Sequence, residues 1–143
     1  MLEFASDITL RQPPEEVFDY IADCRNEPSW HPDAISVEKT SDGPIALGTR
    51  FVSRYRKIGS QDYEIVEYER PSQLAVDYES KGAHFHAVFS VSPSGGGTAV
   101  RVSGGGELRG FWRLLTPLMR IGMRREQAKS AGWIQRGLDS RSG

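Results

Sequence analysis

The strongest constraint on the fold is the order of the first three segments. Leu2 to Leu10 alternates, with Leu2, Phe4, Ile8 and Leu10 on one face and Glu3, Asp7 and Thr9 on the other. A period of two marks a half-buried strand. Pro13-Pro14-Glu15-Glu16-Val17-Phe18-Asp19-Tyr20-Ile21-Ala22-Asp23 follows. Proline is tolerated in a first helical turn, and Glu15 and Glu16 complement the helix dipole there. Val17, Phe18 and Ile21 form an apolar stripe at helical spacing, and the helix is expected to end near Asp23 or Cys24. Pro28 and Pro32 then limit Asn26–Ser29 to at most one further turn, which runs into Trp30-His31. A strand, a short amphipathic helix and a Trp-containing turn stand ahead of a long run of strands and one final helix. That order points to a curved sheet wrapped around a helix, an arrangement that leaves an apolar cavity between the two.

The middle of the chain reads as an antiparallel meander. Ile35 and Val37 suggest a second strand, and Ser41-Asp42-Gly43-Pro44 a turn. Arg50 to Lys57 alternates, with Phe51, Ser53 and Tyr55 opposing Arg50, Arg54 and Arg56. Tyr63–Glu69 reads as the returning strand of that hairpin, and Pro71-Ser72 turns the chain. Leu74, Val76 and Tyr78 share a face, as do Phe85, Ala87, Phe89 and Val91, and then Val100 and Val102. Gly104-Gly105-Gly106 is expected to let the last strand bend or bulge. From Phe111 the period becomes helical: Phe111, Leu114, Leu115, Leu118, Ile121 and Gly122 cluster on one helical face. Pro117 predicts a kink or a helix start, and the helix is expected to run to about Leu138. The fold class is therefore α+β, with about seven antiparallel strands, short helices after the first strand and a long C-terminal helix.

At 143 residues the chain is expected to form a single domain over 1–143 with a substantial core. No apolar run approaches the roughly 18 residues needed to span a bilayer, and the N-terminus does not read as a signal peptide. Cys24, the single cysteine, has no internal disulfide partner, so a cytoplasmic location is expected. From Arg109 onward eight Lys or Arg stand against Glu126 and Asp139, a net of +6, while the remainder carries −7. By charge alone such a tail suits nucleic acid, anionic lipid or the acidic body of a second subunit, the last giving a homodimer. It also suits a plain solvated helix face. Nucleic acid is not an expected partner.

Four segments carry a resemblance to a known family. They are Pro13 to Asp23, Asn26 through Trp30 and His31, Tyr63-Glu64-Ile65-Val66-Glu67-Tyr68-Glu69-Arg70-Pro71, and Gly97-Thr98-Ala99-Val100-Arg101-Val102. On these the chain resembles the START-like, or helix-grip, superfamily, and within it the SRPBCC proteins of polyketide cyclase/dehydrase type. The resemblance spans nearly the whole chain. It implies a helix-grip fold with a ligand cavity between sheet and C-terminal helix. Members of such a family include aromatic polyketide cyclases and lipid and hormone carriers, so the resemblance alone assigns no reaction.

Among motifs that carry chemistry, the chain has no phosphate-cradling loop, zinc-type cysteine spacing, His-Glu-x-x-His or Gly-x-Ser-x-Gly. No cofactor and no metal site is expected. His84 and His86 stand at i and i+2 and could share a metal. If Phe85, Phe89 and Val91 line the interior, however, both imidazoles face outward. His31, beside Trp30 in the Pro-bounded turn, is the one acid–base candidate, since an imidazole titrates near neutral pH. The expected ligand-binding set is Trp30, Phe51, Tyr55, Tyr78, Phe89, Trp112, Leu115, Leu118, Met119 and Met123. Aromatic rings and flexible methionines suit planar or lipidic ligands, although the same residue types also build plain cores.

Three functions fit these residues. The first is binding of a small hydrophobic or aromatic molecule, lipid-like or polyketide-like. The second is a cyclase or dehydratase acting on a polyketide-like substrate by positioning it and polarising a carbonyl. The third is a membrane-interacting lipid or quinone chaperone. The mixed segment Leu108 to Arg120 bears on the last, because it combines cations with exposed-or-gripped apolar residues.

Overall fold

The structure, a computed structural model, describes residues 2–56 and 59–142, with the backbone alone for 111, 126–128, 130, 131, 141 and 142. Seven strands form one antiparallel sheet: β1 Leu2–Leu10, β2 Ala34–Lys39, β3 Arg50–Tyr55, β4 Gly59–Glu69, β5 Gln73–Glu79, β6 Ala83–Ser94 and β7 Gly97–Leu108. Their order across the sheet is β1-β7-β6-β5-β4-β3-β2. Only the β1–β7 pairing is non-sequential, and it returns the first strand to the edge of the meander. Helix α1 (Pro14–Ala22) and a 3₁₀ helix (Cys24–Ser29) link β1 to β2. A second 3₁₀ helix (Gly110–Leu115) leads into α2 (Thr116–Ser142). This is the helix-grip α+β architecture. Pro117 lies in the first turn of α2, where its missing N–H costs nothing. Lys57, expected at the end of β3, and the Phe111 side chain, expected in the cluster on one helical face, lie outside the described residues.

Strand alternation decides what is buried. Leu2, Ile8 and Leu10 of β1, Phe51 of β3, Tyr63 and Ile65 of β4, Leu74 and Val76 of β5, and Val100 of β7 all sit in the core. From α1, Val17, Phe18, Tyr20 and Ala22 join them. The Phe18 ring meets Tyr68 edge-on at 5.3 Å. From α2 the contribution is Ile134 and Leu138.

The C-terminal half of α2 is the anchored half. Gln135 accepts the Arg11 amide at 3.0 Å, and its amide nitrogen donates to Gln12 at 2.8 Å and Asp139 at 3.0 Å. Gly137 is buried, with Tyr20 Oη close by and Trp30 Cβ 2.9 Å from where its own Cβ would stand. A side chain there would hold the helix away from α1 and the Trp30 turn.

Two expectations are corrected. The glycine run of β7 makes no bulge: its pairing with β1 and β6 is unbroken through Gly104, Gly105 and Gly106. Instead Gly104 admits the Phe4 ring, whose Cζ lies 2.9 Å from the position a Cβ would take. The second correction concerns α2. Leu114, Leu118 and Ile121 do not form its buried stripe but are exposed, while Met119 and Met123 on the other side are half-buried. The helix carries apolar residues on two sides. The docking of Ile134, Gly137 and Leu138 decides which side turns inward.

Candidate functional site

The concave face of the sheet and the facing helix form a cavity of about 250 Å³ that is open on one side to solvent. Alternation in β1, β5, β6 and β7 supplies the sheet side, with Phe4, Ser6, Ile8, Tyr78, Ala87, Phe89 and Val102. Trp30 and His31 from the turn after the first 3₁₀ helix, and Met123, Trp133 and Ile134 from α2, close the other side. No Lys, Arg, Asp or Glu is among these residues.

The turn that delivers Trp30 and His31 is fixed by its own polar bonds. Asp23 caps the 3₁₀ helix by accepting the Arg25 amide at 3.1 Å. The Glu27 carbonyl accepts the amides of Trp30 at 3.1 Å and His31 at 2.8 Å. Asn26 Nδ2 donates to the Tyr20 carbonyl at 3.0 Å, and the Tyr20 and Ser29 hydroxyls share a 2.6 Å hydrogen bond. The His31 imidazole is then packed on three rings, those of Tyr55 at 5.0 Å, Trp133 at 5.2 Å and Trp30 at 5.7 Å. Its Nδ1 accepts the Asp33 amide at 3.1 Å, so a neutral ring carries its hydrogen on Nε2.

A buried polar group lies behind the cavity wall. The Glu27 side chain turns inward, although it belongs to a surface turn, and its Oε1 accepts the Tyr63 hydroxyl at 2.9 Å. Tyr63 meets Tyr78 edge-to-face at 4.6 Å. Burial, with the Glu27 charge adding to it, holds the Tyr63 phenol far above its ordinary range. Burial, with Cys24 and Glu27 beside it, does the same for Tyr78. Cys24 is fully enclosed, and burial together with Glu27 and Asp23 raises its thiol as well, so it is a packed side chain rather than a nucleophile. Both phenols and the thiol therefore stay protonated. Tyr78 differs from Tyr63 in one respect: among the described residues its hydroxyl has no hydrogen-bond partner. Its side chain is part of the cavity lining.

Of the residues expected from sequence to bind ligand, Trp30, Tyr78, Phe89 and Met123 line this cavity, and His31, the acid–base candidate, lines it too. Phe51 is enclosed in the core instead. Tyr55 stands one layer back, against His31. Leu115 and Met119 are half-buried outside the lining, and Leu118 is exposed. Trp112 packs over the β5–β6 turn, with its ring 3.1 Å from where a Cβ of Gly82 would lie. His84 and His86 are on the convex face, paired with Glu79 and with Asp77, the latter at 2.5 Å. No group of three or more potential metal ligands occurs among the described residues.

Sequence reasoning did not single out Trp133 and Ile134. The available signal was spacing: Ile134 follows Met123 by three helical turns and so repeats its direction. Glu27 and Ser6 carried no signal, because a carboxylate in a turn and a serine in an alternating strand are ordinarily solvated.

Solved structures share this fold over nearly the full chain. A protein of Thermus thermophilus, TTHA0849, matches with a TM-score of 0.77 at 17% identity, covering 99% of each chain. A START superfamily protein from Mycobacterium smegmatis matches with a TM-score of 0.70 at 14% identity, covering 98% of this chain and 99% of that one. The di-domain ARO/CYC BexL from the BE-7585A biosynthetic pathway matches with a TM-score of 0.73 at 12% identity over 93% of this chain, which spans 48% of the di-domain. No curated protein is similar enough in sequence to match. The model of one family, described as polyketide cyclase / dehydrase and lipid transport, matches residues 1–139, and the chain belongs to that family.

Proposed function

We propose that the protein binds a small neutral molecule of one or two rings that carries a hydrogen-bond acceptor. The observation that carries this reading is the Tyr78 phenol, held protonated in the wall of a mostly apolar cavity. A hydrogen bond from it to a ligand carbonyl or ether is worth about 0.5–1.5 kcal/mol. Size supports the reading. An apolar cavity of about 150 Å³ takes one benzene ring, so about 250 Å³ holds two fused rings. Charge supports it too, because the lining holds no cationic side chain to receive a carboxylate, and Glu27 sits behind Tyr63. Burying about 200 Å² of ring surface stabilises the complex by about 5 kcal/mol before ordering costs.

The test is a melting-temperature series with naphthalene-sized ketones, their hydrocarbon parents and the matching carboxylates, alongside native mass spectrometry of the freshly purified protein. Neutral bicyclic ketones are expected to raise the Tm by mass action and carboxylates are not. A panel with no shift in any member, and no retained small molecule, would refute the reading.

A second reading, a cyclase or dehydratase, is favoured by one observation: His31 lines the same cavity as Tyr78. The fold is shared with the aromatase/cyclase di-domain BexL. In this reading Tyr78 polarises a carbonyl and His31 moves a proton. Turnover that disappears in His31→Gln while binding persists would favour it over binding alone.

A further inference from the structure

The segment that runs from the second 3₁₀ helix into the first turns of α2 contributes little to the core, although it is rich in large apolar residues. Leu114 is 83% exposed, Leu118 66%, Ile121 51% and Trp112 45%. Leu118 and Ile121 stand three apart on α2, which places them on one side of that helix, and Leu114 precedes them in the 3₁₀ helix. Along the segment the charge has one sign. From Leu108 to Arg125 the sequence holds five arginines and no acidic residue, and all five are exposed; Arg109 is paired with Glu79 and the other four flank the strip. Evenly solvated helix faces mix both signs and avoid contiguous leucine and isoleucine.

We propose that this face docks peripherally on an anionic lipid bilayer, with Leu114, Leu118 and Ile121 entering the headgroup–acyl boundary and the flanking arginines on lipid phosphates and carboxylates. An apolar strip rimmed by cations is the pattern that lies in that interface. Among the described residues, no helix is long and apolar enough to cross a membrane, so contact is at the surface. A second copy of the chain is a poorer occupant. Many of the acids that would receive the arginines are already paired within the molecule, as in Asp7–Arg101, Asp19–Arg70, Asp77–His86 and Glu79–Arg109. The docking strip and the cavity share α2 but not a face: Met123 of the cavity wall lies two residues beyond Ile121, on the opposite side of the helix.

The experiment is co-sedimentation of the full chain with vesicles of phosphatidylcholine alone or with about one-third phosphatidylserine, at low and high salt. The assay contains no cavity ligand, so its outcome is independent of the proposed binding function. The wild type is expected to sediment with the anionic vesicles at low salt only. Arg124→Gln/Arg125→Gln is expected to weaken partitioning about 25-fold, at about fivefold per arginine. Leu118→Ser/Ile121→Ser is expected to abolish sedimentation with an unchanged Tm, and Leu114→Ser provides a second, independent exposed position. Absence of binding to anionic vesicles, equal binding to both compositions, or binding unaffected by Leu118→Ser/Ile121→Ser would overturn the proposal. So would a dimer in native mass spectrometry that these substitutions dissociate, since the face would then belong to a second copy.

Discussion

The Tyr63 hydroxyl donates to the Glu27 carboxylate at 2.9 Å, joining the middle of the sheet to the 3₁₀ helix that delivers Trp30 and His31. Both side chains are buried. The bond thus fixes one wall of the cavity relative to the other, and it does so with a phenol that must remain protonated.

That requirement makes the fold sensitive to alkali. Burial raises Cys24, Tyr63 and Tyr78 above their ordinary values of 9.0, 10.0 and 10.0. When a folded-state pKa is raised, the unfolded chain loses its proton first, so the stabilisation is complete below the unfolded value and is lost as pH climbs. Unfolding free energy is expected to be level from pH 7 to 8. It should fall by about 1.4 kcal/mol per pH unit between 9 and 10, and by about 4 kcal/mol per unit above 10. Tyr63→Phe removes one of the three groups, so its slope above pH 10 should be about one-third shallower, and it should cost about 2 kcal/mol at neutral pH. Urea denaturation at stepped pH checks this. Equal slopes in both proteins would contradict the assignment.

Tyr78→Phe separates ligand recognition from folding. The hydroxyl has no partner among the described residues, so its removal should leave the Tm nearly unchanged or slightly raised. Affinity for a bicyclic ketone should fall about fivefold to tenfold, the worth of one hydrogen bond. Affinity for the parent hydrocarbon should not fall. Titration calorimetry on both ligands is the measurement, and a parallel loss for both would show that the ring, not the hydroxyl, does the binding.

The convex face is expected to be silent in binding. His84 and His86 pair across strands with Glu79 and Asp77, on the side opposite Phe85, Ala87 and Phe89. His84→Ala/His86→Ala should change ligand affinity by no more than about twofold, the usual reach of a surface substitution. A large loss of affinity would mean that the sheet's two faces communicate.

Period was the most readable property of this chain. Alternation alone put Tyr78 and Phe89 on the concave face and the two strand histidines on the convex one, because a strand has only two sides. Helix α2 was harder. Its Leu118 and Ile121, with Leu114 just ahead of it, make as good an apolar stripe in the sequence as Met119, Met123 and Ile134, and local spacing cannot rank two stripes on one helix. The choice is made at a distance, by Gln135 on Arg11 and Gln12 and by Gly137 against Tyr20 and Trp30. Glu27 was hidden for a similar reason. Its burial depends on Tyr63, a partner 36 positions away, and no local pattern announces a carboxylate that turns inward.

Gly137 is where that long-range choice can be tested. In an isolated helix, Gly→Ala gains about 1 kcal/mol. Here the added methyl would lie against the Tyr20 hydroxyl and 2.9 Å from Trp30 Cβ, and overpacking of this kind costs about 1–3 kcal/mol. Tyr20 cannot simply retreat, since its hydroxyl is bonded to Ser29 at 2.6 Å and its carbonyl receives Asn26. Gly137→Ala is therefore expected to destabilise by about 1 kcal/mol net, while Gly132→Ala, whose Cβ meets nothing within 4 Å, should stabilise by about that amount. Because the Trp30 turn must shift to admit the methyl, Gly137→Ala should also weaken ligand binding where Gly132→Ala does not. Denaturation midpoints and ligand titrations on the pair decide the matter. If both alanines stabilised equally, α2 would not be held against the Trp30 turn.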